Sequence, residues 1–314
     1  MRTGLVLSGG GANGAFEAGV VAAIEDAGLR PTVLSGTSAG ALNVAAIAHG
    51  LGADELGEVW HSIRPGDVFR LRRDLWRALR PSGWLSGRGV AGRALGGIGW
   101  TWLLETAPLR RTLVRALGGE RVEVADDLTV SVSALDKPSG ALVRFTNRLP
   151  PEHRRSPAYR QVQLDVDHLM ASASIPLAFR PAQLSGTTWW DGGLVANTPL
   201  APAMAHEPDA VIVVTTSTRQ RPAPRPESLG DTLGLLIDNV LDHSLAADLR
   251  QARLINELLR HDPQRTDRKE VDLLVIEPTG LDLGGSLDFS ADLARRRLEL
   301  GREVGARELA AWGA

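Results

Sequence analysis

Two short stretches of this 314-residue sequence carry residue types that could do chemistry, at a spacing the chemistry requires. The first is Gly36-Thr37-Ser38-Ala39-Gly40, a Gly-x-Ser-x-Gly pattern. Between a strand and a helix, such a serine sits on a strained turn that pushes its hydroxyl clear of the sheet. Gly36 and Gly40 remove the side chains that would collide in that turn. The helix beginning at Ala39 also directs its N-terminal amides towards the serine, favouring negative charge there. A serine hydroxyl attacks only when a base takes its proton, so Ser38 as nucleophile requires a partner elsewhere in the chain.

Histidine is the obvious base, and the sequence offers His49, His61, His153, His168, His206, His243 and His261. None stands at a strand end followed by a turn. His49 lies along the same helix as Ser38, about 16 Å away at about 1.5 Å per residue. A Ser-His-Asp triad is not expected. The second stretch supplies the better partner: in Trp189-Trp190-Asp191-Gly192-Gly193 an apolar strand ends in a carboxylate followed by two glycines. Alone, Asp191 reads as an ordinary turn aspartate. Strand ends of a parallel sheet gather at one edge, however, so Asp191 and Ser38 can meet there despite their separation in sequence. A carboxylate with a pKa of about 4 is a weak base for an alcohol. The pair therefore needs a close hydrogen bond in a partly dry pocket, which should raise the aspartate pKa.

A glycine loop, Gly9-x-Gly11-x-x-Gly14, follows the first apolar run and precedes a helical pattern. It fits the dinucleotide-binding fingerprint, which would make the chain a cofactor-binding protein and not a hydrolase. That fingerprint expects an acidic residue at the end of the second strand, where this sequence has Ser35-Gly36-Thr37-Ser38. The same amides can instead stabilise the oxyanion of acyl transfer, where losing one donor costs about 100- to 1000-fold in rate. The preferred role is an oxyanion hole formed by Gly9, Gly10 and Gly11, with Gly14, Gly36, Gly40, Gly192 and Gly193 as supporting positions.

The elements that must position these groups can be traced in the hydrophobic pattern. Residues 3–8 read as a strand, 15–27 as a helix stopped by Gly28, 32–34 as a strand into the serine turn, and 39–51 as a helix. This order opens a parallel α/β sheet. Further strands are expected at 128–134, 141–146, 187–190, 211–216 and 271–277. The unalternating run Val211-Ile212-Val213-Val214 suggests a strand covered on both faces. Helices are expected at 165–173, 199–206, 231–259 and 290–312. A proline-rich connector spans 221–226.

Composition closes off several function classes. The net charge of -2 argues against a nucleic-acid binder built on basicity. The absence of cysteine excludes disulfides, thiolate catalysis and cysteine-bound zinc. The N-terminal apolar run is too short for a signal peptide, and no stretch is long enough to span a membrane. Neither a cofactor nor a metal is expected.

Four ordered blocks, Ser8-Gly9-Gly10-Gly11-Ala12-Asn13-Gly14, Gly36-Thr37-Ser38-Ala39-Gly40, Ala171-Ser172-Ala173-Ser174-Ile175-Pro176 and Asp191-Gly192-Gly193, closely resemble the patatin-like phospholipase family. The resemblance covers roughly residues 3–216. It implies a three-layer α/β/α fold with a mainly parallel sheet and lipid acyl hydrolase activity. It also implies a Ser38–Asp191 dyad with Ser38 as nucleophile and Asp191 as proton acceptor, the glycine loop as oxyanion hole, and no metal. Asn13 departs from the family pattern, which usually has arginine or lysine there. A soluble ester or a thioester is the alternative substrate on the same dyad.

Residues 64–118 are locally basic, with eleven arginines against Asp67, Asp74 and Glu105. Val68, Leu71, Leu75 and Leu79 fall on one helical stripe, and Trp76, Trp84, Trp100 and Trp102 lie in the same region. A cap helix packed over the core is the preferred account, and reversible contact with an anionic membrane interface is compatible with it. The chain is thus expected to form a single domain over 1–314, with a cap or lid at 60–118 and C-terminal elements at 217–314 completing it. A cytoplasmic location is expected, with peripheral membrane contact. The expected partner is a lipid or ester substrate.

Overall fold

In the computed structural model, which describes residues 2–72, 102–217, 249–262 and 269–313, the runs that are apolar without alternation form the centre of a mainly parallel sheet. The strands are β1 (Thr3–Leu7), β2 (Val33–Thr37), β3 (Arg70–Leu71), β4 (Trp102–Glu105), β5 (Thr129–Asp136) and β6 (Leu142–Thr146). They continue with β7 (Tyr159–Gln161), β8 (Leu177–Phe179), β9 (Ala182–Leu184), β10 (Thr187–Asp191), β11 (Ala210–Val214) and β12 (Asp272–Ile276). The helices are α1 (Gly14–Asp26), α2 (Ala39–His49), α3 (Ala53–Ser62), α4 (Pro65–Val68) and α5 (Ala107–Ala116). After them come α6 (Val166–Ser172), α7 (Gly193–Ala196), α8 (Leu200–Ala205) and α9 (Ala291–Trp312). Residues 249–261 are also helical.

The main sheet runs β12-β11-β1-β2-β5 with every neighbour parallel. It is extended by antiparallel β10 and β9 and, on the other edge of β5, by β6 and β7. Alternate residues of the central strands enter separate cores. Leu5, Leu7, Ile212 and Val214 join the larger one, with α1, α2 and α9. Val6, Val211 and Val213 join a second, with Leu200 and Ala203 of α8 and Leu249 and Ala252. Cover on both faces explains the solid apolar run of β11. The result is the three-layer α/β/α arrangement. On one face α9 lies directly against α1, because Gly19 and Gly301 bring the backbones so close that an added Cβ would overlap the Leu298 or Phe16 carbonyl.

The expected helical stripe through Val68 and Leu71 does not form. Helix α4 ends at Val68, Phe69 is extended (φ -146°, ψ 166°), and Leu71 lies in β3. Val68 is buried whereas Leu71 is 65% exposed. Strands β3 and β4 pair antiparallel, and β4 pairs parallel with β8, making a small second sheet. Leu75, Leu79, Trp76, Trp84, Trp100, His243 and the 221–226 connector lie outside the described residues.

Candidate active site

Strand β5 brings the two candidate residues together. In its parallel pairing with β2, Thr37 lies opposite Ser133. In its antiparallel pairing with β10, Asp191 lies opposite Ala134. The strands therefore approach end to end along one edge of β5, at consecutive residues, and the turn after Thr37 faces the last residue of β10. Ser38 has φ 54° and ψ -125°, a conformation seldom adopted by a residue with a side chain. A Cβ on Gly36 would collide with the Gly40 carbonyl, and one on Gly40 with the Leu7 carbonyl, so the turn requires both glycines.

Backbone clamps hold the strained turn. The Ser38 amide donates to Ser172 Oγ (2.9 Å), and that hydroxyl donates to the Ser133 carbonyl (2.7 Å). One residue of α6 thus ties the turn to the strand beneath it. The Asp191 amide donates to the Ser174 carbonyl (2.9 Å), so the same segment also fixes the end of β10. Thr37 Oγ1 donates to the Ala196 carbonyl and Ser35 Oγ to the Pro199 carbonyl, each at 2.9 Å. These bonds bind β2 to the chain that leaves Asp191.

Asp191 is buried, and burial pushes its carboxyl up to about 6. Ser38 and the Gly193 amide, which donates to Asp191 Oδ1 (2.7 Å), both act in the opposite direction by favouring the ionised form. Gly192 lets the chain pass close to β5, where a Cβ would crowd the Ser133 carbonyl.

The glycine loop stands beside this pair. Its Gly9 amide donates to the Asn197 carbonyl (2.9 Å), and the Gly9 carbonyl accepts from Thr216 Oγ1 (2.9 Å) and Asn197 Nδ2 (3.3 Å). The expectation of three open amides is corrected: Gly9 anchors the loop. No described residue accepts a hydrogen bond from the amides of Gly10, Gly11 or Ala39. Ala12 donates to the Ser286 carbonyl (2.7 Å), and Gly40 donates to the Ser8 carbonyl (3.0 Å), joining the loop to the serine turn. Gly14 packs against Trp60 and Ala39.

From Ser38 and Gly11 an apolar cavity extends along α2, lined by Leu42, Leu51, Leu113, Leu169, Phe179 and Phe289 among others. Asn43 and Trp60 form part of its wall and connect it to a buried acid. Trp60 Nε1 donates to Asn43 Oδ1 (2.7 Å), Asn43 Nδ2 to Glu17 Oε2 (3.0 Å), and Ser8 Oγ to Glu17 Oε1 (3.2 Å). Burial holds the Glu17 carboxyl well above the usual carboxylate range.

None of the described histidines lines this cavity. His49 Nδ1 accepts from the Glu123 amide (3.0 Å) at the far end of α2. His168 is bonded to Asp165 (2.7 Å) and His153 to Glu207 (3.1 Å), His61 and His261 are exposed, and His206 is pushed down to about 4 by burial. Among the described residues, no cluster of His, Asp and Glu could hold a metal, and no helix is long and apolar enough to cross a membrane.

Sequence reasoning missed Ser172, Asn197 and Arg297 as parts of the site. Ser172 lies in the small-residue segment Ala171–Pro176, where nothing in the residue types marks it as a clamp. The Asn197 contact with Gly9 runs through its backbone and side chain and leaves no pattern. Arg297 falls within Arg295-Arg296-Arg297, which looks like a solvated run, yet its side chain is 1% exposed and bonds to the Ala12 carbonyl.

The family model described as patatin-like phospholipase matches residues 5–204. The uncharacterized protein YqhO of Bacillus subtilis (strain 168) is 29% identical over 230 residues, covering 70% of this chain and 73% of that protein. Among solved structures, VipD from Legionella pneumophila aligns with 99% of this chain and 67% of its own, at 14% identity and a TM-score of 0.47. The type III effector protein ExoU aligns with 99% of this chain at 15% identity and a TM-score of 0.44, and this chain spans about half of it, 53%.

Proposed function

The chain belongs to the patatin-like phospholipase family, whose model matches well over half of its length, and from that premise we propose that it is a serine-dependent lipid acyl hydrolase in which Ser38 is the nucleophile and Asp191 the base. The observation that carries the assignment is the end-to-end approach of β2 and β10 along β5. Asp191 in its ionised form takes the Ser38 proton as Oγ attacks the ester carbonyl carbon. The carbonyl oxygen becomes an oxyanion, and the Gly10, Gly11 and Ala39 amides, with the N-terminus of α2, stabilise it. Collapse of this intermediate breaks the carbon–oxygen bond to the alcohol, which leaves with the proton from Asp191. Water then attacks the acyl-enzyme, again losing its proton to Asp191, and the free acid departs as Ser38 is regenerated. No step calls for a metal or a cofactor.

A carboxyl poised at about 6 is ionised at neutral pH and still more basic than an exposed aspartate, as a general base requires. The cavity beyond Ser38 has apolar walls suited to one acyl chain, leaving the alcohol portion of the ester at the mouth. The small sheet contributes Phe179 to that cavity and exposes Leu71, Leu103 and Leu177 beside Arg70 and Arg180. We assign to this surface a reversible, peripheral contact with lipid. Cosedimentation with anionic vesicles that does not exceed that with neutral ones would remove this contact.

Labelling with a fluorophosphonate tests the dyad. Wild type is expected to label at Ser38, whereas Ser38→Ala and Asp191→Asn label little or not at all. Equal labelling of wild type and Asp191→Asn would exclude Asp191 as the base. Comparing micellar phospholipid with short-chain nitrophenyl esters separates a lipid substrate from a soluble ester or thioester.

A further inference from the structure

Arg297, on α9, is 1% exposed, and no carboxylate stands within ion-pair distance of it among the described residues. All its side-chain hydrogen bonds go to backbone carbonyls. Nε donates to Leu283 (2.7 Å), Nη2 to Gly285 (3.0 Å), and Nη1 to both Asp288 (2.7 Å) and Ala12 (3.3 Å). Asp282 and Asp288 act on the guanidinium only through space. Arginine stays protonated in proteins, and a buried cation without a counter-ion is costly to keep. An apolar residue of similar length would fill the same space but leave these four carbonyls without their donor, so the arginine is kept for what it holds and not for its bulk.

The carbonyls it gathers make its place intelligible. Three belong to the loop 283–288, which also receives the Ala12 amide through Ser286 (2.7 Å). The fourth belongs to Ala12 itself. Both polar backbone groups of Ala12 are therefore held, the N–H by the loop and the C=O by the guanidinium that organises the loop. Ala12 immediately follows Gly10 and Gly11, whose amides stay open. Gly11 has φ +57°, and a Cβ there would overlap the Ser286 carbonyl. The loop carrying Ser286 thus closes against the outer side of Gly11 and fixes the peptide planes on which those amides sit.

We propose that Arg297 is a positioning residue for the oxyanion hole: through loop 283–288 and the Ala12 carbonyl it locks the Gly10 and Gly11 amides in their open orientation and adds a fixed positive charge behind them. It touches no reacting atom. The inference rests on the hydrolase function proposed above, and its effect is on stabilisation of the transition state and not on substrate affinity.

The test compares Arg297→Met and Arg297→Lys with wild type on a short nitrophenyl ester, with kcat expressed per site titrated by fluorophosphonate. Wild-type labelling at Ser38 is the control: its absence would defeat the hydrolase function and this inference with it, whereas labelled variants that turn over like wild type would defeat this inference alone. Arg297→Met should lose about 10- to 100-fold in kcat, part of the loss known for a whole oxyanion donor, with KM changed less than about twofold. Arg297→Lys keeps the charge but has no planar fork to reach separated carbonyls, and should lose about tenfold. A kcat per titrated site equal to wild type in both variants, even with lowered thermal stability, would leave Arg297 a structural residue and overturn the proposal. Hydrogen exchange of the native protein gives an answer even if neither variant folds. The Ala12 amide should exchange only with global unfolding; exchange through local opening would mean that nothing locks the loop.

Discussion

Asp191 and Glu17 are both carboxyls removed from solvent beside the glycine loop, and burial raises both. They differ in what faces them. Glu17 is enclosed by Ser8 and Asn43, within a chain of neutral donors that ends at Trp60. Asp191 faces Ser38 and the Gly193 amide at the end of a strand, where Ser38 opens onto the apolar cavity. Burial alone yields a carboxyl held above the usual range that ties elements together. A base requires in addition donors that favour its ionised form and a reacting partner that can be reached. Glu17 meets the first condition through Asn43 and Ser8 but does not line the cavity and lacks the second; in the proposed mechanism Asp191 has both.

The comparison can be broken most sharply at the dyad. Ser38→Ala should lower ester hydrolysis by about 10⁴-fold or more, since removing a nucleophile leaves only binding and the oxyanion hole; titration with fluorophosphonate and steady-state rates check this. Asp191→Asn should cost about 10³-fold in kcat. A loss below tenfold would place the base elsewhere. Ser172→Ala removes the hydroxyl between the Ser38 amide and the Ser133 carbonyl. It should lower kcat roughly tenfold and unfolding free energy by about 1–3 kcal/mol, because buried partners lose their bonds; thermal melts and kinetics on the same preparation read both.

The pH dependence sharpens the contrast. Because the Asp191 pKa is raised to about 6 and its ionised form is the base, kcat/KM should fall as pH drops through about 6. The same shift has the opposite sign for stability. Between pH ~4 and ~6 the native protein holds a proton that the unfolded chain releases, so stability declines as pH rises across that window. Holding the carboxyl at about 6 instead of its ordinary value of about 4 corresponds to roughly 3 kcal/mol. Asp191→Asn should therefore be more stable than wild type by about 1–3 kcal/mol above pH ~6, and this gain should vanish below pH ~4. Glu17→Gln should share the stability trend, gaining on wild type as pH rises, while changing kcat less than about twofold. A large kcat loss in Glu17→Gln would erase the distinction between the two acids.

Much of the sheet could be seen in the sequence because its strands are covered on both faces. The run at 211–214 has no polar position that could disguise it, and the two tryptophans before Asp191 mark the end of β10. The serine turn could be seen because two glycines are sterically required around one residue with positive φ. The small sheet could not be anticipated: Val68 and Leu71 lie at helical spacing, but pairing of β3 with β4, more distant in sequence, overrides that local pattern. The inner face of the site was hidden for a similar reason. Asn197, Ser286 and Arg297 act largely on or through backbone groups, which carry no residue-type signature, and an arginine that bonds to carbonyls looks from sequence like one that faces water.

The bond between Ala12 and Ser286, reinforced by Arg297, also has a meaning in time. A ribosome makes Ser38 and Asp191 well before it reaches residues 286 and 297. Until then the nascent chain carries both reacting groups with Ala12 unheld. A chain cut short by premature termination or by proteolysis ahead of residue 286 would retain the serine and the aspartate yet lack the segment that holds Ala12.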